Sequence, residues 1–165
     1  MTLRVGFLGA GQLGEPMVRR LIGTGHQVSV FARHGDVRAR LRDEGTTMAD
    51  SVAELASRSD ILISCLYSDA QLREIGLGPD GFIANAKPGS VFVSNTTGTV
   101  ATLTELSKSS SSPPAIVDAP VSGTAEHMAE GQLTVLIGGA RGCGAAGATG
   151  PCSLRRPHHG HRRTR

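Results

Sequence analysis

The chain has 165 residues, enough for one ordinary domain and too few for two, since domains run to roughly 100–200 residues. Its formal charge of +3 resides at the end: positions 141–165 hold six arginines and no acid, and removing those six from the 17 basic residues leaves 11 against 14 acids, net −3. The basicity therefore belongs to the tail and says nothing about a nucleic-acid surface on the body, and with Cys65 its single cysteine, Cys143 and Cys152 lying in the tail, the body has neither a disulfide framework nor a CxxC metal site, as in a reducing compartment.

Residues 3–8 form an apolar run that contains Arg4 and is too short for a secretory core or a membrane span, so a soluble cytoplasmic protein is expected. The run reads as a first strand. Residues 13–22 read as a helix with Leu13, Met17, Val18, Leu21 and Ile22 on one face, ended by Gly23 and Gly25. A second strand is predicted at 28–32, helices at 36–44 and 51–57, the latter behind a Ser or Asp cap, and a further strand at 61–66. Gly78-Pro79-Asp80-Gly81 marks a turn, 91–94 a strand, 99–106 a helix and 109–114 a loop punctuated by Ser and Pro. Two more strands are expected at 115–117 and 133–137. After Gly139 the pattern stops. Leu154 is the one large aliphatic residue of 141–165, an Arg/Gly/His-rich stretch expected to be a disordered tail, and its composition resembles a reading frame out of register, so a frameshift or truncation is the expected origin.

Gly9-Ala10-Gly11-Gln12-Leu13-Gly14 is a GxGxxG placed directly between a predicted strand and a predicted helix. The first glycine permits the tight turn, the second lets backbone approach a pyrophosphate, and the third lets helix and strand pack closely. A diphosphate would rest on the amides at the helix N-terminus, where partial positive charge collects. With the alternating βα pattern, this predicts an α/β fold, a Rossmann-type doubly wound and mainly parallel sheet over residues 1–140. NAD sites usually carry an acid at the end of the second strand, to bond the ribose 2′-hydroxyl. Here the strand ends Phe31-Ala32-Arg33-His34, with no acid before Asp36. Arg33 suits a 2′-phosphate and His34 can assist when protonated, so NADP is the expected cofactor and NAD the alternative.

Three blocks resemble one family, the 3-hydroxyisobutyrate dehydrogenase-like group of β-hydroxyacid dehydrogenases, related to 6-phosphogluconate dehydrogenase. Gly6-Phe7-Leu8-Gly9 through Pro16-Met17 is similar to its cofactor signature, Asp118-Ala119-Pro120-Val121-Ser122-Gly123 to its substrate signature, and Gly131-Gln132-Leu133-Thr134 through Gly138-Gly139 to the strand that follows. The resemblance implies that Cys65, Leu66 and Tyr67 run beside the cofactor and that Asn95, Thr96 and Thr97 approach the nicotinamide ribose. Both segments leave carboxyl ends of strands, where open α/β sheets bind ligands. It further implies that Ser122 and Gly123, with Thr124 next to them, hold a small hydroxyacid by its carboxylate and hydroxyl. The family commonly has glycine at the position of Thr124 and small residues at those of His127 and Met128, and these bulkier side chains narrow or re-aim the pocket. His127 itself reads as a helix-face histidine.

The implied reaction is hydride transfer between a hydroxyacid carbon and the nicotinamide, with a lysine moving the hydroxyl proton. In the family that lysine lies on a C-terminal helical domain, which these 165 residues are not expected to include. The chain's lysines, Lys87 in a turn and Lys108 in the Ser-rich loop, match no family motif, so no catalytic residue is assigned and little turnover is expected of the chain alone. The family's homo-oligomer, built through the helical domain, is not expected. His158, His159 and His161 with Cys152 match no closed metal site, and the Arg-rich end would bind nucleic acid only nonspecifically.

Overall fold

The computed structural model describes residues 2–139. The predicted tail at 141–165 lies outside the described residues.

Strand β1 (Arg4–Leu8) runs through the middle of the sheet and is buried from Val5 onward, the two-sided environment that selects a continuous apolar run over an alternating one. It pairs in parallel with β2 (Gln27–Phe31) on one side and β4 (Ile61–Ser64) on the other. Beyond β2 lies β3 (Thr47–Met48), and beyond β4 lie β5 (Val91–Ser94) and β6 (Ala115–Asp118), all parallel. The order is therefore 3-2-1-4-5-6, a doubly wound sheet whose winding reverses between β1 and β4. A short strand, β9 (Gly138–Gly139), adds antiparallel to β6 at the edge.

Consecutive side chains of a strand point to opposite faces, and each face has its own core. Phe7, Val28 and Val30 pack with Val18 of α1 (Gly14–Ile22) and with Val37 and Leu41 of α2 (Gly35–Asp43). Leu8, Leu62 and Phe92 pack on the other face with residues of α3 (Val52–Arg58), α4 (Asp69–Gly76), α5 (Phe82–Asn85) and α6 (Val100–Lys108). Phe82 and Phe92, both fully buried, stack there with ring centroids 4.3 Å apart. Among the described residues no helix is long and apolar enough to cross a membrane.

Most predicted elements stand where periodicity placed them, and Ser51 is the cap of α3, its hydroxyl accepting from Glu54 N at 3.0 Å. Among the elements not foreseen are β3, two residues that become a strand by pairing with Ser29 and Val30, and the four-residue α5. Two predictions need correction. The strand predicted at 61–66 ends at Ser64, because the Leu66 amide turns out of the ladder to the Thr96 hydroxyl. The strand predicted at 133–137 is not one element. Its Thr134–Val135 portion, β8, pairs with β7 (Val121–Ser122) in a separate two-stranded ribbon, while Leu136 and Ile137 are 60% and 66% exposed before β9 rejoins the sheet. Apolar composition marked a buried strand there, but the β6 edge is reached only by the two glycines. Between β7 and β8 stands α7 (Ala125–Glu130), whose first turn is closed by Thr124 and His127 accepting each other's backbone amides at 3.2 Å. His127 is thus a capping residue on a helix end.

Helices α1 and α2 are tied by charge. The Glu15 carboxylate accepts from Arg40 at 3.0 Å and Arg19 at 2.7 Å; Arg19 also takes Glu44 at 2.8 Å, and Arg40 takes Asp36 at 3.1 Å. The Arg40 guanidinium on Glu15 holds that carboxyl below the usual range. A carboxyl depressed in the fold stabilises it above the unfolded value, about 4.3, and that contribution is lost as pH falls through the lower folded value. Chemical-denaturation midpoints should therefore drop between pH 5 and more acidic solution, as an acid limb to which Glu15 contributes; Glu15→Gln should start lower at neutral pH and show a shallower limb. Phe92→Ala, which empties the stacked core, should cost about 3–5 kcal/mol by the same measurement.

Candidate functional site

At the carboxyl end of β1 the chain turns at Gly9, whose φ of +89° is left-handed, and Gly11 N closes the turn by donating to Gly9 O at 2.9 Å. The glycines have separate tasks. A Cβ on Gly14 would lie 2.1 Å from Gly9 O, and one on Gly9 would lie 2.3 Å from Cys65 O, so both are required by contacts of backbone on backbone. A Cβ on Gly11 would meet nothing within 4 Å and would project into open space. No side chain caps α1, and among the described residues the Gln12 and Leu13 amides have no partner. Free amides on a positive helix end are the donor set an anion such as a diphosphate requires.

This turn forms the floor of a cleft of about 620 Å³, within the usual range for small-molecule sites. The end of β2 walls one side through Phe31, Ala32, Arg33, His34 and the first-turn residue Val37. Opposite stand Cys65, Leu66 and Tyr67, backed by Gln71, Glu74 and Ile75 of α4. Arg33 and His34 are exposed, and among the described residues Arg33 has no ion pair. Asp36, the first acid after β2, is engaged by Arg40. Arg38 is spent on structure, donating to Ala49 O at 3.0 Å and pairing with Asp50 at 2.9 Å. The free cation at the mouth of the cleft is thus Arg33, among the described residues.

Three amides fix the loop after β4. Cys65 N donates to Leu8 O at 2.9 Å, Leu66 N to Thr96 Oγ1 at 3.1 Å and Tyr67 N to Gln71 Oε1 at 3.0 Å. The Tyr67 ring is left 96% exposed. Burial pushes the Cys65 thiol up, which keeps it protonated and a poor nucleophile.

Of the residues singled out in the sequence, Gly9 to Gly14, Arg33, His34, Cys65, Leu66 and Tyr67 line this one cleft. Asn95 and Thr96 are buried behind it: Asn95 Nδ2 donates to Ala119 O at 2.6 Å, and Thr96 holds Leu66. Thr97 is exposed beside them. Ser122, Gly123 and Thr124 lie farther along the same carboxyl edge, exposed on β7 and the turn into α7, with Gly123 at φ +145°. Leu8, Ser64, Ser94 and Asp118 are in register across that edge, so the loops after β1, β4, β5 and β6 form one continuous rim. Burial raises the Asp118 carboxyl at its far end. Gln71, Glu74 and Ile75 were missed. Their spacing of three and one on a helix was the available signal, but periodicity does not say which helix turns a face to the cleft.

Both lysines stand at the opposite, amino edge. Lys87 pairs with Asp60, which precedes β4 and also binds Arg4 at 3.1 Å, and Lys108 ends α6, a helix that runs back from the carboxyl edge. Among the described residues no group of three or more metal-ligating side chains is present.

Gly14→Ala should lower stability by about 1–3 kcal/mol or more in thermal or urea unfolding, because the atom it strikes is a main-chain carbonyl that cannot move aside. Unchanged stability in that variant would show that the turn is looser than this geometry.

Comparison with known proteins agrees with this arrangement. Residues 4–145 match the family described as the NAD binding domain of 6-phosphogluconate dehydrogenase. The cytokine-like nuclear factor N-PAC of Danio rerio is 34% identical over 139 residues, 84% of this chain and 30% of that protein. The mitochondrial 3-hydroxyisobutyrate dehydrogenase of Mus musculus is 32% identical over 136 residues, 82% of this chain and 41% of that protein. Among solved structures, Mycobacterium tuberculosis 3-hydroxyisobutyrate dehydrogenase with L-serine superposes with a TM-score of 0.77 at 28% identity, over 86% of this chain and 48% of that one. The chain thus spans less than half the length of these relatives. Its sheet order, its glycine turn and the match over residues 4–145 together place the chain in the family of the 6-phosphogluconate dehydrogenase NAD binding domain, to which the 3-hydroxyisobutyrate dehydrogenases it resembles are related.

Proposed function

We propose that residues 1–140 are the cofactor domain of an NADP-dependent oxidoreductase of the β-hydroxyacid dehydrogenase type. The observation that carries the cofactor choice is Arg33, free of any ion pair among the described residues at the mouth of the cleft, while the nearby acid Asp36 is occupied by Arg40. A 2′-phosphate would take charge-assisted hydrogen bonds from Arg33, with His34 beside it; the diphosphate would lie on the Gln12 and Leu13 amides over the open face of Gly11. When bound, the nicotinamide supplies a hydride acceptor or donor. Cys65, Leu66 and Tyr67 border its path, and Asn95 and Thr96 hold the rim in place from behind, with Thr97 exposed at the ribose position.

The small hydroxyacid belongs at Ser122, Gly123 and Thr124, where a hydroxyl and free amides supply donors for a carboxylate. Proton transfer to its hydroxyl is assigned to a lysine of a helical domain, as in the resembled enzymes, because Lys87 and Lys108 stand at the other edge of the sheet. Full turnover on this reading needs that domain. The same placement of the lysines favours a second reading, a dinucleotide-binding module that transfers no hydride.

Calorimetric titration with NADPH and NADH tests the cofactor reading. NADPH should bind more tightly, and Arg33→Asp should remove about 10-fold or more of that preference, the worth of a charge-assisted contact. Gly11→Ala should keep its thermal midpoint yet weaken both dinucleotides, since its methyl group projects into the cleft and not into the protein. Equal affinity for the two cofactors would remove the NADP assignment, and failure to bind either would remove the site.

A further inference from the structure

One wall of the cleft, formed by Gln71, Glu74 and Ile75, is left without a role when the cleft is read as a dinucleotide site. Gln71 and Glu74 are three residues apart on α4, which makes them neighbours on one helix face. Gln71 Oε1 accepts the Tyr67 amide at 3.0 Å, which fixes the orientation of the side-chain amide and leaves its nitrogen, a donor only, without a partner among the described residues. Glu74 is exposed, and among the described residues it makes no ion pair and no side-chain hydrogen bond; its neighbour Arg73 is taken by Glu105 at 2.7 Å. Its carboxylate is an acceptor only. The wall therefore presents a donor next to an acceptor, beside the apolar side chains of Val37, Leu66 and Ile75 that also line the cleft.

A planar ring with one polar edge fits this surface. With the diphosphate at the head of α1 and the adenosine-ribose phosphate at Arg33, the purine base is the part of the dinucleotide that falls between Val37 and α4. Adenine offers the complement of the wall, a 6-amino donor flanked by a ring-nitrogen acceptor. Hypoxanthine puts a carbonyl at position 6, which would set two acceptors against each other at Glu74. We propose that Glu74, assisted by Gln71, reads the 6-amino edge of the base and makes the site selective for adenine dinucleotides over their 6-oxo analogues. The inference rests on the reading of the cleft as a dinucleotide site.

The test is calorimetric titration of the full chain with NADPH and with its deamino analogue, in which hypoxanthine replaces adenine, for the wild type, Glu74→Ala and Glu74→Gln. The wild type should prefer NADPH by about 10-fold or more, the discrimination expected of a matched pair of base-edge hydrogen bonds. Glu74→Ala should abolish most of that preference at an unchanged thermal midpoint, chiefly by weakening NADPH. Glu74→Gln, whose amide can turn a donor toward a 6-carbonyl, should narrow it by tightening the analogue. Equal wild-type affinities, or a Glu74→Ala variant that weakens both dinucleotides alike, would overturn base reading and leave the cofactor assignment standing. No binding of either dinucleotide by the wild type would overturn both.

Discussion

The arrangement depends on one crossing of main chain over main chain at the head of α1. Gly14 passes Gly9 O so closely that a Cβ would lie 2.1 Å from it, and Gly9 passes Cys65 O with 2.3 Å for the same atom. Strand β1, the turn, α1 and the loop after β4 therefore close on one another without side chains between them. That closure sets the direction of the α1 axis and leaves its first amides at the floor of the cleft. The Phe7 and Leu8 cores can form on both faces of β1 because the helix above one of them is seated this tightly.

Around that crossing, polar groups brace the carboxyl rim from inside. Asn95 and Thr96 are buried, and each spends its side chain on another loop, the Asn95 amide on Ala119 O and the Thr96 hydroxyl on Leu66 N. A buried donor or acceptor deprived of its partner costs about 1–3 kcal/mol, so these bonds hold the loops after β4, β5 and β6 in one mutual position. The rim behaves as a frame carried by the sheet, and the cleft is faced by the first amides of α1 together with side chains at strand ends and on α4.

Charge is sorted by position. Arg4 and Lys87 are neutralised by Asp60 at the amino edge, while Arg19, Arg38 and Arg40 are held by acids along α1, α2 and the start of α3. Arg33 is left over at the carboxyl edge beside the positive end of α1. An anionic ligand at this edge thus meets positive charge that is unpaired among the described residues, next to free backbone donors, and Asp36, the acid that follows Arg33 in the chain, is already held by Arg40.

Periodicity and glycine spacing were enough to read the βα alternation, the Gly9 to Gly14 turn and the residues at the ends of β1, β2 and β4, because each of these is local in the chain. The strand predicted at 133–137 failed for the opposite reason: whether Leu133 to Ile137 pair depends on which sheet edge lies beside them, and β6 accepts only Gly138 and Gly139. Gln71 and Glu74 entered the site because α4, which follows the loop after β4, turns one face to the cleft, and Asn95 and Thr96 lie buried behind it, each bonded to a neighbouring loop. By itself the sequence determined the fold class, the glycine turn and the cation at the end of the second strand, all of them legible from local periodicity and spacing. Only the tertiary structure decided which faces line the cleft and which polar side chains brace it, since those depend on contacts between segments that the chain brings together from 20 or more positions apart, as Leu66 and Thr96 are by 30.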